Sequence, residues 1–191
     1  METRLDEVHP TDSIYETITL RASWGRAWLA ISNAQEFGAW FGARFDGRFV
    51  PGVTLKGTLE PTTADAEFAA RQQRYAGLPI ELTVESIDPD HRITFSWHPF
   101  TIGLDLDARF EPTTRVALEL HGDQEGVVLT VTESGFRYLP AARRASAYLA
   151  HEEGWEQRLL LVKKHVERAQ RLDERWFRAR ARGYQLAATP P

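Results

Sequence analysis

The chain has no cysteine among its 191 residues, and this absence removes several kinds of chemistry at once. Disulfide bonds, a catalytic thiolate and cysteine-ligated zinc are all excluded. Long apolar runs are missing as well: no stretch approaches the roughly 20 apolar residues that span a bilayer, and no N-terminal segment has the pattern of a signal peptide. We therefore expect a cytoplasmic protein that does not insert into a membrane.

Several sequence motifs of enzymes are also missing. The segment HEEGW at 151–155 lacks the second histidine of the zincin motif, and GVTLKGT at 52–58 lacks the ending of a phosphate-binding loop. No G-x-S-x-G elbow occurs, so a hydrolase triad has no support. The sequence motifs therefore predict no catalytic residue, no metal and no cofactor, and they favour a protein that is not an enzyme.

Charge is distributed unevenly, although the formal net charge is only −4. Between residues 158 and 182, nine Lys or Arg stand against three acidic residues, a local balance of +6, so the remainder carries about −10. One interpretation is a solvated helix whose cations complement the negative end of the helix dipole. The other is a basic arm that docks on an acidic partner, either a chaperone or a second copy of this protein. Nucleic acid is disfavoured because the acidic body would repel phosphate.

Hydrophobic periodicity predicts a strand, two short helices, six antiparallel strands and one long helix, in that order. The predicted strands are 13–20, 43–50, 53–60, 80–87, 92–98, 115–122 and 127–134. The predicted helices are 24–31 with Ser23 as its cap, a second with an Asn33–Glu36 capping box that ends near Trp40, a short one within 64–75, and a long one from Pro140 onward. Residues 99–114 are expected to form a long connection, either irregular throughout or with a short edge strand within it.

Six consecutive antiparallel strands favour one curved antiparallel sheet, and only the last helix is long enough to cover its apolar face. That helix has one continuous stripe formed by Tyr148, Glu152, Trp155, Leu159, Val162, Val166 and Ala169. The predicted fold class is α+β: a curved antiparallel sheet of six to seven strands wrapped around a long C-terminal helix, with two short helices after the first strand. The predicted boundaries are an N-terminal extension at 1–12, a domain at 13–168, and a basic helical extension with a disordered tail at 169–191.

Three short sequence segments occur at characteristic places in this order of elements. They are WFGARFDGRF after the paired helices, LTVTESGF before the long helix, and HEEGW within it. With them the chain resembles the SRPBCC superfamily of START-like, helix-grip proteins. Within that superfamily it is similar, over residues 13–168, to bacterial proteins related to the C-terminal domain of the heat-shock-protein-90 ATPase activator. The resemblance implies a hydrophobic ligand cavity between helix and sheet. It leaves the function open, because the superfamily includes lipid carriers, hormone receptors and cyclases.

Two carboxylates are the main polar candidates for a site. Strand alternation places Glu133 on the inner face of the last strand, and Glu152 lies in the otherwise apolar stripe of the long helix. Two carboxylates in one apolar space would raise the pKa of at least one of them, and they could orient a polar head group or transfer a proton. Alternatively, Glu133 caps a turn or pairs with Arg137 or Arg143, and Glu152 lies at a wet rim.

Aromatic residues are numerous, with six tryptophans and ten phenylalanines, and most are expected in the core. The residues predicted to contact a ligand are Trp40, Phe45, Phe95, Trp97, Val131, Glu133, Tyr148, Glu152 and Trp155. The leading hypothesis is binding of a small hydrophobic or amphipathic ligand without catalysis. One alternative is an interaction protein resembling the chaperone activator. A third is a polyketide cyclase- or aromatase-like enzyme that uses Glu133 or Glu152 for proton transfer.

Overall fold

A single antiparallel sheet of seven strands organises the chain. The structure, a computed structural model, describes residues 12–99, 112–122 and 126–187, with side chains as far as residue 176. The strands are β1 (Ser13–Leu20), β2 (Ala43–Phe45), β3 (Thr54–Leu59), β4 (Pro79–Asp88), β5 (Arg92–Trp97), β6 (Thr114–Gly122) and β7 (Val127–Ser134). The helices are α1 (Trp24–Ser32), α2 (Ala34–Phe41), α3 (Ala66–Gln72) and α4 (Ala141–Ala187), with 3₁₀ turns at Gln73–Tyr75 and Phe136–Tyr138.

The strand order across the sheet is β1-β7-β6-β5-β4-β3-β2. From β2 to β7 each strand pairs with the next one in sequence, as antiparallel strands joined in hairpins do, although long connections separate β3 from β4 and β5 from β6. Strand β1 is the exception, because it pairs with the last strand and places Ile14 opposite Glu133 and Leu20 opposite Val127. The predicted fold class is confirmed: the sheet is antiparallel and open, two short helices follow β1, and α4 is the long C-terminal helix.

Period-two alternation separates the two faces of the sheet. The inner-face residues of the three central strands have at most 7 % of their surface exposed; they are Ile93, Phe95 and Trp97 on β5, Val116, Leu118 and Leu120 on β6, and Leu129, Val131 and Glu133 on β7. The outer face carries mainly threonine, serine and charged side chains. Glu133 is therefore the one acidic residue on the inner face of these three strands, which is apolar apart from Glu133 and Thr114, the buried first residue of β6.

The two short helices begin where the sequence predicts, but their capping interactions differ in part from the prediction. Asn33 caps α2, since its Oδ1 accepts hydrogen bonds of 3.0 Å from the backbone N–H groups of Gln35 and Glu36. The Glu36 carboxylate does not close the predicted capping box; it lies 2.7 Å from Nε2 of His165 on α4. Ser23 precedes α1 but its side chain makes no cap hydrogen bond. At Glu36 the contact with His165 on α4 therefore takes the place of the predicted capping contact with Asn33.

The strand predicted at 43–50 is wrong in length, because β2 ends at Phe45. Asp46 still donates its N–H to the carbonyl of Lys56 at 2.9 Å, and then the chain leaves the sheet. The reason is Phe49, whose ring is buried and lies 5.5 Å from that of Phe37. Burying an aromatic ring stabilises the fold by about 2–3 kcal/mol, more than further pairing along an exposed edge would.

Helix α4 has 47 residues, which corresponds to a length of about 70 Å. Its contacts with the rest of the domain include one at Asp173, whose carboxylate lies 2.6 Å from the guanidinium of Arg26. Of the extension predicted at 169–191, residues through Ala187 are helical. The extension predicted at 1–12, apart from Asp12, and most of the connection predicted at 99–114 lie outside the described residues. None of the helices in the described ranges is long and apolar enough to cross a membrane.

Candidate functional site

The carboxylate of Glu133 lies at the centre of a polar cluster between the sheet and α4, and none of its surface is exposed. Oε1 accepts hydrogen bonds from Nε1 of Trp97 at 2.8 Å and from Oγ1 of Thr114 at 2.5 Å. Oε2 accepts one from Nε1 of Trp155 at 2.6 Å. Nδ1 of His151 lies 3.0 and 2.9 Å from the two oxygens and donates to them, because a carboxylate only accepts hydrogen bonds.

Four elements bring these groups together. Trp97 ends β5 and is paired in register with Thr114, which begins β6. Glu133 is on β7, opposite Val116 and therefore diagonal to Thr114. His151 and Trp155 are four residues apart in α4 and thus lie on one helical face. The cluster therefore links three central strands to the helix.

Glu133 is ionised in the folded protein. Burial by itself raises the pKa of its carboxyl, but the hydrogen bond and positive potential of His151, together with the hydrogen bonds from Thr114 and Trp97, lower that pKa below its usual value. The prediction of a raised carboxyl pKa is therefore wrong for Glu133. A carboxylate with a lowered pKa is a hydrogen-bond acceptor at neutral pH and a poor general acid.

Arg158 follows Trp155 on the same side of α4, and it has no anionic partner among the described residues. Its guanidinium carbon lies 4.5 Å from the ring centroid of Phe41 and 5.8 Å from that of Trp155. The residue is half-buried, but its Nε is sealed from solvent and makes no hydrogen bond. Burial lowers the pKa of Arg158 to about 10, although the negative charge of Glu133 acts in the opposite direction and raises it. The guanidinium therefore remains a cation at neutral pH.

Glu152 belongs to a separate hydrogen-bonding group at the half-buried edge of α4. The hydroxyl of Tyr148 lies 3.3 Å from Oε1 of Glu152 and 3.4 Å from the carbonyl of Ser13. Burial and the neighbouring Glu152 raise the pKa of Tyr148. Glu133 and Glu152 therefore have different partners. Arg137, one suggested partner of Glu133, instead donates its backbone N–H to Asp12 at 2.8 Å.

The remaining predicted ligand contacts lie in the core. Trp40, Phe45 and Phe95 surround Phe37, at ring-centroid distances from it of 4.7, 6.0 and 5.9 Å. Trp40 also donates its Nε1–H to the carbonyl of Ala30 at 2.9 Å. Val131 lies on the inner face of β7 with no exposed surface. Of the nine predicted residues, Trp97, Glu133 and Trp155 belong to the hydrogen-bonded cluster. Phe95 lies beside it, with its ring centroid 5.4 Å from that of Trp97, and Tyr148 and Glu152 form their own pair.

Three residues of the cluster were not predicted from sequence: Thr114, His151 and Arg158. For the last two a signal exists, because His151, Trp155 and Arg158 have the i, i+4, i+7 spacing of one helical face. Thr114 falls at the end of the predicted connection 99–114. Only the pairing of β6 with β5 places it beside Trp97.

Aromatic side chains fill the described interior around this cluster. The ring centroids of Trp97 and Trp155 are 5.7 Å apart, and those of Phe41 and Trp97 are 5.6 Å apart. Two pockets of about 280 and 270 Å³ lie on the opposite, outer face of the sheet, and both are lined by Arg115 and Ser134. The ligand cavity between helix and sheet therefore stays a prediction.

Comparison with known families identifies the chain. The family model described as "Activator of Hsp90 ATPase homolog 1-like protein" matches residues 21–167, from the end of β1 through the cluster on α4. The chain belongs to this family. No curated protein matches it. The resemblance to activator-related proteins of the SRPBCC superfamily is thus confirmed.

Solved structures share the fold of this activator-like domain. Protein MLL2253 from Mesorhizobium loti is 18% identical, with a TM-score of 0.59, and the match covers 82% of this chain and 97% of that one. A protein from Arthrobacter aurescens is 12% identical, with a TM-score of 0.62 and coverages of 83% and 87%. DynU16, a protein of the dynemicin biosynthetic locus, is 19% identical with a TM-score of 0.59; the match covers 84% of this chain and 49% of DynU16, so this chain spans about half its length. At these identities the likeness shows the fold alone.

Proposed function

We propose that this protein binds a small amphipathic ligand at the interface between α4 and the sheet, without catalysing a reaction. The ligand's polar end lies at the cluster of Glu133, His151 and Arg158, and its apolar part lies against Phe41 and Trp155. One observation carries the proposal: Arg158 is a cation that lies among aromatic rings and makes no ion pair or hydrogen bond with any described residue.

Energetics explain why this observation favours a ligand. Removing a charged group from water costs several kcal/mol unless a partner compensates for the lost hydration. Glu133 is compensated by four donors, but Arg158 has only its contacts with aromatic faces, which stabilise a cation by about 0.5–2 kcal/mol. A ligand that supplies hydrogen-bond acceptors would remove this imbalance. Ligand sites commonly combine an apolar lining with a few such polar groups.

Binding requires the aromatic side chains around Arg158 to move, because they contact one another in the free protein. This requirement makes tryptophan fluorescence a suitable reporter. Trp155 lies in the cluster and is wholly buried, whereas Trp176 has 55% of its surface exposed and lies near the far end of the described helix. A ligand at the proposed site should change the emission of the buried ring, and the change should persist in a Trp176→Phe variant.

Native mass spectrometry of protein purified without detergent tests the proposal directly. We expect a complex heavier than the bare chain, with the extra mass released on denaturation. A Trp155→Leu variant should lose the bound mass, and Trp176→Phe, the matched control, should retain it. A bare-chain mass together with unchanged fluorescence across hydrophobic and amphipathic probes would contradict ligand binding.

A second candidate function is interaction with a chaperone, which the family description suggests. The feature that favours it is the far part of α4, where Leu172 and Trp176 each have 55% of their surface exposed within a stretch rich in arginine. An exposed leucine and tryptophan beside cations suit an acidic partner surface with apolar patches. Docking there would leave the cluster around Glu133 untouched.

The chaperone ATPase rate, measured with and without the protein, distinguishes this candidate. Chaperone activation predicts a higher rate that is lost when residues 168–191 are removed and retained in Arg158→Gln. An unchanged rate with the full chain would exclude this function for the chaperone tested.

A further inference from the structure

Arg158 adopts a folded-back conformation that depends on a glycine one turn earlier. Gly154 lies in the interior of α4, where glycine destabilises a helix by roughly 0.5–1 kcal/mol relative to alanine. A Cβ at residue 154 would lie 2.5 Å from Nη1 of Arg158. The absence of a side chain at Gly154 therefore leaves the space that the guanidinium occupies over Phe41.

The N–H groups of this guanidinium make no hydrogen bond to any described residue. Arginine has five N–H donors arranged as a planar fork, and Arg158 directs none of them to a described acceptor. The Glu133 carboxylate, whose negative charge acts on Arg158, is already occupied by hydrogen bonds from Trp97, Thr114, His151 and Trp155. Because Nε is sealed from solvent, a ligand can reach only the outer edge formed by Nη1 and Nη2.

We propose that the amphipathic ligand has an anionic head group, a carboxylate, and that Nη1 and Nη2 of Arg158 bind it. This inference rests on the proposed function and specifies the ligand class. A guanidinium fork matches the two oxygens of a carboxylate and those of a phosphate equally well. The nearby charge of Glu133 distinguishes them, because repulsion grows with the ligand's charge and so favours a monoanion over a phosphate dianion.

A purely structural role for Arg158 makes a different prediction. If the guanidinium served only to pack on Phe41 and Trp155, its removal would affect all ligands equally through a loosened interior. If the guanidinium binds an anion, its removal should weaken the binding of acidic ligands and leave that of neutral ligands unchanged. The ratio of acid to alcohol affinity is therefore the measurement that separates the two roles.

The experiment measures dissociation constants by titration calorimetry for matched probes: decanoate, decan-1-ol and decyl phosphate, and 2-naphthoate with 2-naphthalenemethanol. In the wild-type protein we expect the acid of at least one pair to bind about tenfold or more tightly than its alcohol, and decyl phosphate to bind less tightly than decanoate. Arg158→Gln should abolish the acid preference and leave alcohol binding within about twofold. Arg158→Lys should retain part of that preference, since it keeps the charge but loses the fork.

Two further variants complete the design. Gly154→Ala keeps the arginine but places a methyl group 2.5 Å from the present position of Nη1, so the guanidinium must shift and acid binding should fall, though less than in Arg158→Gln. Arg115→Gln, on the outer face and paired with Glu85, is the matched control and should change nothing. Two results would contradict the proposal of an anionic head group and leave the proposed function standing. One is equal affinity of the wild-type protein for acid and alcohol, and the other is a preference for the acid that persists in Arg158→Gln. Absence of binding by every probe would overturn both.

Discussion

Glu133 shows how a charged residue can be part of a protein interior. A carboxylate without exposed surface loses all its hydration, and here three side-chain N–H groups and one hydroxyl replace the lost water. Because the donors come from β5, β6 and α4, the carboxylate joins the helix to the sheet. This arrangement couples the stability of the domain to one ionised group.

Glu133→Gln should lower the free energy of unfolding by about 3 kcal/mol, because the amide removes the charge and directs an NH₂ group at residues that are themselves donors. Urea denaturation followed by circular dichroism measures this loss. Glu119→Gln is the control, since that side chain is 40% exposed on the outer face and the change should stay within about 0.5 kcal/mol. A loss below about 1 kcal/mol for Glu133→Gln would show that the cluster contributes little.

The lowered pKa of Glu133 also predicts a pH dependence. The unfolded chain takes up a proton at the ordinary glutamate pKa, while the folded carboxyl stays ionised to lower pH. The stabilisation is therefore complete above the unfolded pKa and is lost as the pH falls through the folded value. In urea titrations from about pH 6 to pH 3, wild-type protein should lose more stability than Glu133→Gln. Parallel curves for the two proteins would contradict this.

Arg158 should have the opposite effect on stability. In the protein without ligand its charge is partly dehydrated and unpaired, so Arg158→Met should raise the free energy of unfolding by about 1 kcal/mol. Arg115→Met, which breaks an exposed ion pair with Glu85, should change it by less than about 0.5 kcal/mol. A clear loss of stability in Arg158→Met would mean that the contact with Phe41 outweighs the cost of burial.

Between elements, the junction of α2 with β2 depends on one glycine. A Cβ at Gly38 would lie 2.1 Å from the backbone carbonyl oxygen of Ala43, and a backbone atom cannot rotate away as the end of a side chain can. The close approach allows α2 to turn directly into the first strand of the hairpin series. The helix and β2 are therefore positioned together.

Gly38→Ala should destabilise the protein by about 2 kcal/mol or more, because α2 must shift away from β2. Gly25→Ala is the matched control: it also lies in a short helix, but nothing lies within 4 Å of its added Cβ, and alanine favours helix. Thermal unfolding of both variants measures the difference. Equal melting temperatures would contradict the close packing of α2 on β2.

Helix α4 is held along much of its length by polar contacts with other elements. Beyond the Glu133 cluster, Nζ of Lys163 donates to the carbonyl of Thr19 at 2.6 Å, and His165 pairs with Glu36 on α2. Lys164 pairs with Asp65, the cap of α3, and this ion pair is the main cause of the lowered pKa of Asp65. The helix thus fixes the sheet and all three short helices.

At the scale of the whole molecule, α4 runs from the Glu133 cluster to α1, where Asp173 pairs with Arg26 at 2.6 Å. Asp173→Asn removes this ion pair and should lower the free energy of unfolding by less than about 1 kcal/mol, because both side chains are partly exposed. Urea denaturation of the variant measures the change. A loss above about 2 kcal/mol would show that this contact between α4 and α1 contributes more than a partly exposed ion pair ordinarily does.

The sequence by itself determined the order of elements, the sheet and the face on which Glu133 lies, because period-two and period-3.6 patterns depend only on local backbone geometry. It did not determine the partners of that carboxylate. His151 and Arg158 look like ordinary polar residues of a helix until β5, β6 and α4 are assembled around them. Likewise, Glu36 had a local partner available and the tertiary structure supplied His165 instead. Side-chain chemistry between distant segments depends on packing, and only the folded molecule decides it.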